Sequence, residues 1–532
     1  MLQTALGTRG MVTAPHNLAA ESGLLILRNG GNAIEAMIAA AATIAVVYPH
    51  MNSIGGDGFW LIVPPTGDPL TIRACGGAAQ LATREAYQSQ GMTSIPFRGP
   101  WAANTVAGTV GGWQAALELS RSWGGHIPLA ALLADAIHYA SQGIPVTSGH
   151  STTITQKWAE LVKQPGFSST FLSPEGDAPK AGEYFYQPRL ARTLRCLVTE
   201  GLESFYRGSL ARTIAADLQQ IGSPLSLDDL SRYHAQIVEP LHLSHASGTL
   251  YNMSLPTQGV VSLAILGIAE RAGLAAVLPD GAAHLHLLVE STKQAFQLRD
   301  QFVTDPRLCP VDPQTLLDPL RLDAMARAID PSQAAPWGAG KGPGDTVWLG
   351  AVDGNGLAVS FIQSIYHEFG SGCVLAESGI NWQNRGASFS LAPHSLLALE
   401  PGKMPFHTLN PAAARLNDGR VMVYGTMGGD GQPQTQAAVF SRHAIFGQPL
   451  QQAVTAPRWL LGRTWGQTSD SLKLESRFPE AVFTTLRQWG HEVEALEGFD
   501  QSVGHAGAIV RYPDGILEGA TDPRSNGGVA AF

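Results

Sequence analysis

An abrupt change of composition about two thirds of the way along the chain constrains its fold more than any other feature. Residues 330–345 (DPSQAAPWGAGKGPGD) are rich in Pro, Gly and Ala, with Trp337 as their one large apolar side chain. Such a segment is expected to form an exposed and poorly ordered loop. Residues 346–352 (TVWLGAV) are apolar and β-prone, residues 353–356 (DGNG) favour a hairpin turn, and residues 357–362 (LAVSFI) favour a returning strand. The pattern therefore predicts a buried hairpin directly behind a cleavable loop.

Thr346 is the first residue of this predicted hairpin. Cleavage of the peptide bond between Asp345 and Thr346 would free an α-amine beside the threonine hydroxyl, and such an amine titrates near pH ~8. The amine can then take the proton of the hydroxyl, which activates the hydroxyl for attack on a carbonyl group. The pattern is typical of an N-terminal nucleophile, and taken locally it also fits a threonine that merely begins a strand.

The composition favours a large, well-packed protein that acts on a small molecule. The chain has 532 residues, 44% of them hydrophobic, and this length allows two to four domains or one extended fold. A net charge of -9 and the absence of a basic run argue against a nucleic acid or an anionic membrane as the partner. The cysteines are far apart, so we expect reduced thiols rather than disulfides or a thiolate zinc site; they are Cys75, Cys196, Cys309 and Cys373.

The first fifty residues predict two helices and no secretory signal, because no basic segment leads into an apolar core and a small-residue cleavage site. We therefore expect a cytoplasmic protein. Residues 33–47 are apolar, but the segment contains Glu35, is too short to span a bilayer and ends near Pro49, so it is interpreted as a buried helix. Asn32 and Glu35 have the spacing of a capping box, and an earlier helix is predicted at residues 17–29.

The rest of the chain alternates between helical and strand patterns, with helices prevailing before residue 346 and short strands after it. Helices are predicted at residues 113–123, 129–142, 260–272, 283–302, 432–446 and 479–489, and strands at 59–63, 420–425, 506–511 and 516–519. The sequence contains no internal repeat. The boundary between residues 345 and 346 is better supported than any other.

Two further motifs have alternative interpretations. His284 and His286 are two residues apart, and we expect no Glu or third His at metal-ligand spacing, so we predict packed or surface histidines and no metal site. Residues 425–431 (GTMGGDG) lack the Lys-Ser/Thr ending of a phosphate-binding loop. Their backbone N–H groups could stabilise an oxyanion, or the segment could only be a tight turn. Residues 53–58 (SIGGDG) have the same two interpretations.

Segments along nearly the whole chain resemble the γ-glutamyltranspeptidase family of N-terminal nucleophile hydrolases, and they occur in the family's order. They are AESGLLILRNGGNAIEAMIAA and MNSIGGDGFW within residues 13–63, NTVAGTVGGW at 104–113, HLLVESTKQAFQLRD at 286–300, TVWLGAVDGNGLAVS at 346–360, FGSGCVLAESGI at 369–380, GTMGGDG at 425–431 and GATDPRS at 519–525. So many motifs in one order make the resemblance specific. It favours cleavage at Thr346 over the alternative that this threonine merely begins a strand.

The resemblance implies an α/β fold, a four-layer αββα sandwich, made as a proenzyme that cuts itself into residues 1–345 and 346–532. Thr346 matches the family's nucleophile, Gly428 and Gly429 match its oxyanion-hole glycines, and Arg73 matches the arginine that binds the substrate's α-carboxylate. These residue types suit these roles, since backbone N–H groups stabilise an oxyanion and a guanidinium fork binds a carboxylate with two hydrogen bonds.

The sequence departs from the family where the substrate's α-ammonium group is bound. Ser388 stands in place of an aspartate, and a neutral hydroxyl cannot replace that charge-assisted contact. Arg385 adds a positive charge to the same segment (NWQNRGASF), which disfavours an ammonium group and favours a carboxylate. The other predicted pocket residues that differ from the family's pattern are Ser364, Tyr366, His407 and Thr408.

We therefore predict an amidohydrolase for a small carboxylated amide without an α-amino group. Within the family, the pattern is most similar to members that hydrolyse oxamate to oxalate and ammonia in the breakdown of purine-derived nitrogen. Oxamate carries its carboxylate directly beside the scissile carbonyl, so Arg385 or His407 could bind it closer to Thr346 than Arg73 does.

Three alternatives stay open at the level of sequence. They are a γ-glutamyl hydrolase or transferase, an acylase for a larger carboxylated side chain, and an unprocessed binding protein without catalysis. The implied chemistry requires no organic cofactor and no metal. The two fragments of the precursor are expected to stay paired, and the sequence leaves open whether the pairs assemble into a homo-oligomer.

Overall fold

The computed structural model describes residues 3–338, 345–462 and 469–532. The strands within these ranges are β1 (Ala5–Gly7), β2 (Gly10–Ala14), β3 (Asp57–Val63), β4 (Leu70–Ala74), β5 (Ile144–Pro145), β6 (Tyr184–Phe185), β7 (Gln236–Val238), β8 (Leu241–His245), β9 (Gly248–Asn252), β10 (Asp345–Asp353), β11 (Ala358–Tyr366), β12 (Ala412–Leu416), β13 (Val421–Thr426), β14 (Trp459–Leu461), β15 (Leu472–Glu475), β16 (Val493–Leu496), β17 (Ala506–Arg511), β18 (Leu517–Thr521) and β19 (Gly528–Ala531).

The α-helices in the same ranges are α1 (Asn17–Arg28), α2 (Ala33–Val47), α3 (Arg84–Ser89), α4 (Thr109–Ser120), α5 (Leu129–Leu132), α6 (Ala134–Gln142), α7 (Ser148–Leu161), α8 (Phe167–Phe171), α9 (Pro188–Glu200), α10 (Ser204–Arg207), α11 (Ser209–Ile221), α12 (Leu227–Ser231), α13 (Gly259–Arg271), α14 (Ala282–Phe302), α15 (Pro319–Arg327), α16 (Gln432–Phe440), α17 (Leu450–Thr455) and α18 (Glu480–Gln488). Short 3₁₀ turns occur at Arg121–Trp123, Leu274–Ala276, Pro313–Leu317, Arg385–Ser388, Gly429–Gly431 and Gln501–Val503, and a π-helical turn at Ser441–Ile445.

Two seven-stranded antiparallel sheets form the centre of the molecule. One has the strand order β1-β18-β17-β13-β12-β9-β8, and the other has the order β19-β2-β10-β11-β3-β4-β7. The two sheets face each other, since β10 and β11 contact β13 and β17 of the opposite sheet. Small apolar clusters fill this interface, one of them built around Met11, Val352, Val423 and Ile509.

Helices cover the outer face of each sheet. Helices α1, α2 and α4 pack on the sheet that contains β10, and α13, α14 and α16 belong to the layer on the other sheet. Each outer layer has its own large apolar cluster. The order helix, sheet, sheet, helix is the predicted four-layer αββα sandwich, and that prediction is confirmed.

Helix α2 begins with the predicted capping box. The Asn32 side chain accepts a hydrogen bond from the Glu35 N–H at 3.0 Å, and Glu35 Oε2 accepts one from the Asn32 N–H at 3.0 Å. The other Glu35 oxygen accepts from Ile127 N at 2.6 Å, so this fully buried carboxylate has its acceptors satisfied. All of α2 is buried, as predicted, and no helix in the described part of the chain is long and apolar enough to cross a membrane.

The predicted hairpin is formed by β10 and β11 in the middle of its sheet. Strand β10 pairs with β11 along its length on one side, and its last four residues, Gly350 to Asp353, pair with β2 on the other. At the turn, an Asp353 carboxylate oxygen accepts from Ala33 N at 3.1 Å, which ties the hairpin to the start of α2. The register of the hairpin, and hence the position of its first residues, is fixed from several directions.

The structure corrects three expectations about the elements. The helix predicted at 129–142 is broken at Leu133 into α5 and α6, and the one predicted at 432–446 ends at Phe440 before a π-helical turn. Nine of the described strands, β1 to β9, precede residue 346, more than the helix-rich pattern indicated. Residues 330–338 are exposed or half-buried as expected but carry backbone hydrogen bonds, and residues 339–344 of the predicted processing loop lie outside the described residues.

Candidate active site

Thr346 is the second residue of β10 and lies at a β-bulge. Asp345 is opposite Tyr366 and Val347 is opposite Gln363, so the register shifts at the threonine between them. A bulge re-aims a side chain relative to a regular strand. The Thr346 side chain is fully buried, and its Oγ1 accepts a hydrogen bond from Gln432 Nε2 at 3.4 Å. Because β10 runs unbroken through this position, the structure describes the unprocessed chain.

The predicted oxyanion glycines form the turn between β13 and α16. Gly428 has φ 124° and Gly429 has φ 52°, conformations that strain a residue with a side chain. The Gly431 N–H donates to the Gly428 carbonyl at 2.8 Å and closes the turn. Gln258 Nε2 donates to the carbonyls of Gly429 at 2.9 Å and Thr408 at 3.1 Å. One buried amide therefore joins the glycine turn to the segment that contains His407 and Thr408.

A buried network of ion pairs packs against the loop at Gly504, which lies next to the glycine turn. Arg458 Nη1 donates to the Gly504 carbonyl at 2.7 Å, and a β-carbon added at Gly428 would lie 3.4 Å from Gly504. Arg458 forms a buried ion pair with Asp522, and Arg524 pairs with both Asp522 and a further carboxylate, Glu475. Asp522 and Arg524 belong to the GATDPRS motif, so that motif packs against the glycine turn through the loop at Gly504.

Arg385 is a buried cation stacked on an aromatic ring. Its guanidinium carbon lies 3.9 Å from the centre of the Tyr366 ring, a cation–π distance. Arg385 is 1% exposed, and neither Nη1 nor Nη2 makes a hydrogen bond to any described residue. Burial lowers the pKa of Arg385 to about 10, while Tyr366 and Asp57 act in the opposite direction, so the side chain stays charged near neutral pH. Two donors of a planar fork therefore face the interior without a protein acceptor.

Tyr366 ends β11 in a strained conformation. Its φ is +80°, which is unusual for a residue with a bulky side chain. Its N–H donates to Ser364 Oγ at 2.8 Å, and it lies opposite Asp345 in the ladder. Ser364 itself lies opposite Asp57 in the β11–β3 ladder. The residue before the predicted nucleophile is thus one strand away from the stacked pair of Tyr366 and Arg385.

Asp57 and His407 form a second buried polar pair. His407 Nε2 lies 3.2 Å from Asp57 Oδ2, although the angle does not suit a hydrogen bond. The other Asp57 oxygen accepts from Gly108 N at 3.0 Å and Gln383 Nε2 at 3.2 Å. Burial raises the pKa of Asp57 to about 7, partly offset by Arg385 and these hydrogen bonds. Burial and the charge of Arg385 hold the pKa of His407 well below its usual value, so the imidazole is neutral.

Arg73 lines a cavity of about 310 Å³. Its Nη1 donates to the Leu255 carbonyl at 2.8 Å, and its Nη2 donates to the side chain of Gln236. The two terminal nitrogens expected to bind the substrate's carboxylate are therefore already bound to protein acceptors. Arg385 Nη1 and Nη2, in contrast, have no acceptor among the described residues.

Two predicted pocket hydroxyls are buried without a partner among the described residues. These are Ser388 Oγ, in the same 3₁₀ turn as Arg385, and Thr408 Oγ1. A buried polar atom without a partner carries an energetic cost unless a ligand or water satisfies it. Their position is consistent with a polar pocket that includes the turn of Arg385 and the segment of Thr408.

The structure thus links most of the predicted site residues through direct contacts. Sequence reasoning missed Gln432 and Gln258, and it noted Asp57 only as part of the SIGGDG motif. Gln432 follows the glycine turn immediately in sequence, which is a signal that could have found it. Gln258 is far from both of its partners in sequence, so only the fold reveals its contacts.

The expectation that no Glu or third His stands at metal-ligand spacing is wrong. Glu290 follows His286 by one helical turn on α14, and His491 meets both from the other end of the chain. One potential ligand atom from each of the three buried residues lies within 4.8 Å of the others.

Comparison with known proteins agrees with this geometry. The family model described as Gamma-glutamyltranspeptidase matches residues 19–532. The oxamate amidohydrolase proenzyme of Klebsiella pneumoniae is 61% identical over the full length of both chains. The glutathione hydrolase-like YwrD proenzyme of Bacillus subtilis is 37% identical over 99% of each chain. A crystal structure of cephalosporin acylase from Bacillus halodurans has a TM-score of 0.90 and 34% identity, covering 100% of this chain and 97% of that one.

Two facing sheets between helical layers, with a buried threonine at the start of a central strand beside a glycine turn, define an N-terminal nucleophile hydrolase that acts on C–N bonds. The matched family model and the full-length relatives specify the class further. The chain belongs to the γ-glutamyltranspeptidase family.

Proposed function

We propose that this protein cuts itself between Asp345 and Thr346 and then hydrolyses oxamate to oxalate and ammonia through an acyl-enzyme on Thr346. In this proposal Gly428 and Gly429 stabilise the oxyanion, and Arg385 binds the substrate's carboxylate. Ser364, Tyr366, Ser388, His407 and Thr408 shape the pocket. The cytoplasmic location and the role in the breakdown of purine-derived nitrogen stay predictions.

The substrate assignment depends on one observation, that Arg385 is buried and its terminal nitrogens have no hydrogen-bond partner among the described residues. A buried guanidinium with two unpartnered terminal nitrogens is costly unless an anion satisfies it. A planar fork binds a carboxylate through two parallel hydrogen bonds. Arg385 stacks on the ring of Tyr366, and the backbone of Tyr366 lies opposite Asp345 in the ladder. This position suits a substrate whose carboxylate is bonded directly to the reacting carbonyl carbon.

Ser388 also favours oxamate over a γ-glutamyl substrate. A γ-glutamyl substrate carries an α-ammonium group that needs a negative partner, and the turn of residues Arg385–Ser388 contains a cation and a hydroxyl instead. The buried Asp57 is a weak anionic partner there, since Gly108 and Gln383 bind one of its oxygens and burial raises its pKa to about 7. The pocket therefore favours an anion without an ammonium group.

Self-cleavage follows from the position of Thr346. Its Oγ attacks the Asp345 carbonyl carbon while the C–N bond to Thr346 breaks, which gives an ester and a free α-amine. Water then hydrolyses the ester, leaving the Asp345 carboxylate and the Thr346 hydroxyl. The bulge and the Gln432 contact orient the Oγ relative to a backbone that is paired with β11 at this end of β10. One water is consumed and no other reactant is needed.

Turnover uses the same hydroxyl. The α-amine of Thr346 takes the Oγ proton as Oγ attacks the amide carbon of oxamate, and the N–H groups of Gly428 and Gly429 stabilise the resulting oxyanion. Collapse of this intermediate returns the proton to the leaving nitrogen and expels ammonia. Water, deprotonated by the same amine, attacks the ester and releases oxalate. The sum is oxamate plus water to oxalate plus ammonium.

The names of the relatives support two parts of the proposal, the substrate and the self-cleavage. The 61% identical Klebsiella protein is named an oxamate amidohydrolase proenzyme, and the Bacillus relative is also named a proenzyme. A proenzyme that is cut into two fragments is consistent with strands from both sides of residue 346 pairing in the same sheets. We infer a processed pair of fragments, 1–345 and 346–532, that stays assembled.

A second candidate is an acylase for a larger carboxylated side chain. The cavity of about 310 Å³ beside Arg73 is far larger than oxamate requires and is lined by three arginines, Arg73, Arg232 and Arg307. A solved structure with a TM-score of 0.90 is a cephalosporin acylase. The occupied terminal nitrogens of Arg73 place this candidate second.

Steady-state assays with three substrates test the proposal. Ammonia release from oxamate is compared with release from a γ-glutamyl anilide and with hydrolysis of a glutaryl amide, on enzyme whose two fragments have been confirmed by mass spectrometry. We expect kcat/KM for oxamate to exceed the others by at least about 10²-fold, as expected when the wrong substrate leaves buried charges unpaired. Efficient γ-glutamyl transfer without oxamate turnover would defeat the assignment.

A further inference from the structure

The cluster of His286, Glu290, Lys293 and His491 lies outside the site described above. All four residues are at most 6% exposed. Lys293 Nζ and Glu290 Oε1 form an ion pair at 2.7 Å, and His491 Nε2 is 3.9 Å from the same carboxylate oxygen. Three residues come from α14 before the predicted cleavage site, and His491 comes after it. We call these four residues the linker clamp.

The donor and the acceptor can be assigned for each hydrogen bond between the histidines of the linker clamp. The Asp330 carbonyl can only accept, so His286 Nε2, 2.7 Å away, carries a proton. In a neutral ring His286 Nδ1 is then an acceptor, and His491 Nε2 donates to it at 2.8 Å. Burial, followed by the charge of Lys293, lowers the pKa of His491 to about 3, which keeps that ring neutral. Lys293 therefore provides the charge opposite Glu290, and the two imidazoles bond to each other, without any added ion.

The polar atoms that face outward from the linker clamp bind the segment upstream of Thr346. Lys293 Nζ donates to the Ala335 carbonyl at 2.6 Å, and Glu290 Oε2 accepts from the Ala335 N–H at 3.1 Å. Both backbone groups of Ala335 are therefore bound by opposite charges of one pair. Beside it, the Ala334 N–H donates to the Trp489 carbonyl at 2.7 Å, and the Trp337 ring lies 5.7 Å from Phe296.

We propose that the linker clamp is a positioning device for self-cleavage, which fixes the chain at residues 330–335 and so confines the segment that presents the bond between Asp345 and Thr346. This inference rests on the proposed function, since it concerns the rate of that cleavage. It assigns a role to charged residues that the hydrolysis of substrate does not use.

The length of the segment sets the size of the expected effect. With Ala335 held, ten residues (336–345) precede Thr346; if loss of the clamp also releases the contacts of Ala334 and Trp337, the stretch between α15 and Thr346 comprises eighteen residues, 328–345. The number of conformations open to a loop rises about as the 3/2 power of its length. Lengthening from ten to eighteen residues therefore lowers the fraction of productive conformations about 2.4-fold, before any loss of orientation is counted.

A bound metal ion is the competing interpretation of the same residues. Two imidazoles and a carboxylate are a common zinc ligand set. The structure favours the linker clamp because Lys293 already provides the positive charge next to Glu290, and because His286 and His491 bond to each other rather than converge on a vacant point.

Time courses of self-cleavage test the inference on full-length chain made by cell-free translation. Lys293→Met keeps the apolar stem and removes the charge, and Glu290→Gln is a second variant with a different side chain. Lys157→Met is the matched control, since Lys157 forms an (i, i+3) pair with Glu160 on α7. A companion measurement follows hydrogen exchange of the Ala335 N–H in a Thr346→Ala background, which keeps the chain intact.

We expect cleavage of Lys293→Met and Glu290→Gln to be at least about twofold slower than that of wild type, with faster exchange at Ala335. Lys157→Met should match wild type. After complete cleavage, both clamp variants should hydrolyse oxamate with wild-type kcat and KM, which a general folding defect would not allow.

Unaltered cleavage in a variant whose Ala335 exchanges faster would overturn the inference, and so would unaltered exchange at Ala335. Stoichiometric transition metal in purified wild type that is lost in His491→Ala would replace the linker clamp by a metal site. If wild type itself stays uncut, the proposed function fails instead, so the two failures are distinguishable.

Discussion

The guanidinium carbon of Arg385 lies over the Tyr366 ring, 3.9 Å from its centre, while Tyr366 itself pairs across the ladder with Asp345. The positive φ of Tyr366 turns the chain at the end of β11. This arrangement places a buried cation one strand away from the predicted cleavage site. The predictions that follow depend on that proximity, on the glycine turn and on the buried pair of Asp57 and His407.

Thr346→Ala should remain a single chain and lose oxamate turnover by at least about 10³-fold, because it removes the only atom that forms the acyl-enzyme. Thr346→Ser should still cut itself and retain measurable turnover. Mass spectrometry and an ammonia assay measure both properties. Thr199→Ala, which removes an exposed helix hydroxyl, is the control and should behave as wild type. An intact but fully active Thr346→Ala protein would refute the nucleophile.

Arg385→Met should raise KM for oxamate by about 30-fold or more, since losing one partner of a buried hydrogen-bonded charge pair costs about 2–5 kcal/mol. Arg385→Lys should recover only part of the loss, because an ammonium group cannot bind the carboxylate with a planar fork. Arg487→Met is the matched control, as Arg487 also lies over a ring, that of Phe483, but at the surface. A wild-type KM in Arg385→Met would exclude this arginine as the carboxylate site.

Ser388→Asp should convert the pocket toward γ-glutamyl substrates. The new carboxylate would stand in the same turn as Arg385, where it neutralises the cation and offers a partner to an ammonium group. We expect kcat/KM for oxamate to fall at least about tenfold and activity on a γ-glutamyl anilide to rise. Ser89→Asp adds the same charge at an exposed position and serves as the control. Equal losses on both substrates would contradict the specificity argument.

Gly428→Ala should lower kcat by about 10²–10³-fold, the usual effect of losing an oxyanion-hole donor. A β-carbon would meet Gly504 only at ordinary contact distance, so the effect comes from the positive φ of 124° and not from a clash. Gly67→Ala tests the same kind of backbone strain at an open loop with φ 85°, where no atom lies within 4 Å. Stability should fall similarly in both variants, by about 1–2 kcal/mol, but only Gly428→Ala should lose activity.

Asp57→Asn should change how thermal stability depends on pH. Burial raises the pKa of Asp57 to about 7 from an ordinary value of 3.8, so the folded protein holds this proton more tightly than the unfolded chain. The stabilisation is full below about pH 3.8 and is lost as pH rises toward 7, with a slope of up to about 1.4 kcal/mol per pH unit. The wild-type Tm minus the Asp57→Asn Tm should therefore fall from pH 4 to 7 and then level off. If the wild-type Tm minus the Asp57→Asn Tm instead rises with pH, the pKa of Asp57 is not raised in the folded protein.

The sequence predicted the parts of this molecule that depend on local pattern. The hairpin of β10 and β11, the capping box at Asn32 and the glycine turn are each specified by residues within a few positions of one another. Motif order then predicted the four layers. Strands β8 and β9 were missed although both alternate in burial, a period of two that a stricter search would find.

Contacts between distant segments could not be predicted from the sequence. Gln258 bonds to Gly429 from 171 positions away, and Glu290 meets Ala335 from 45 positions away. The bulge at Thr346 is set by pairing with β11 and was not indicated by its own residues. Arg385 was identified by its charge, but its stacking on Tyr366 and its lack of a protein partner depend on the assembled fold.

Within the described residues, strands on the two sides of position 346 are interleaved: five ladders join them, β1 with β18, β2 with β10 and β19, β3 with β11, and β9 with β12. A nick at this position therefore releases neither piece. Separating the two fragments would break strand pairs in both seven-stranded sheets. Dissociation of the fragments and unfolding would therefore occur together. Dilution under native conditions should leave such a nicked molecule whole, and because unfolding then releases two chains, its transition temperature should rise with protein concentration.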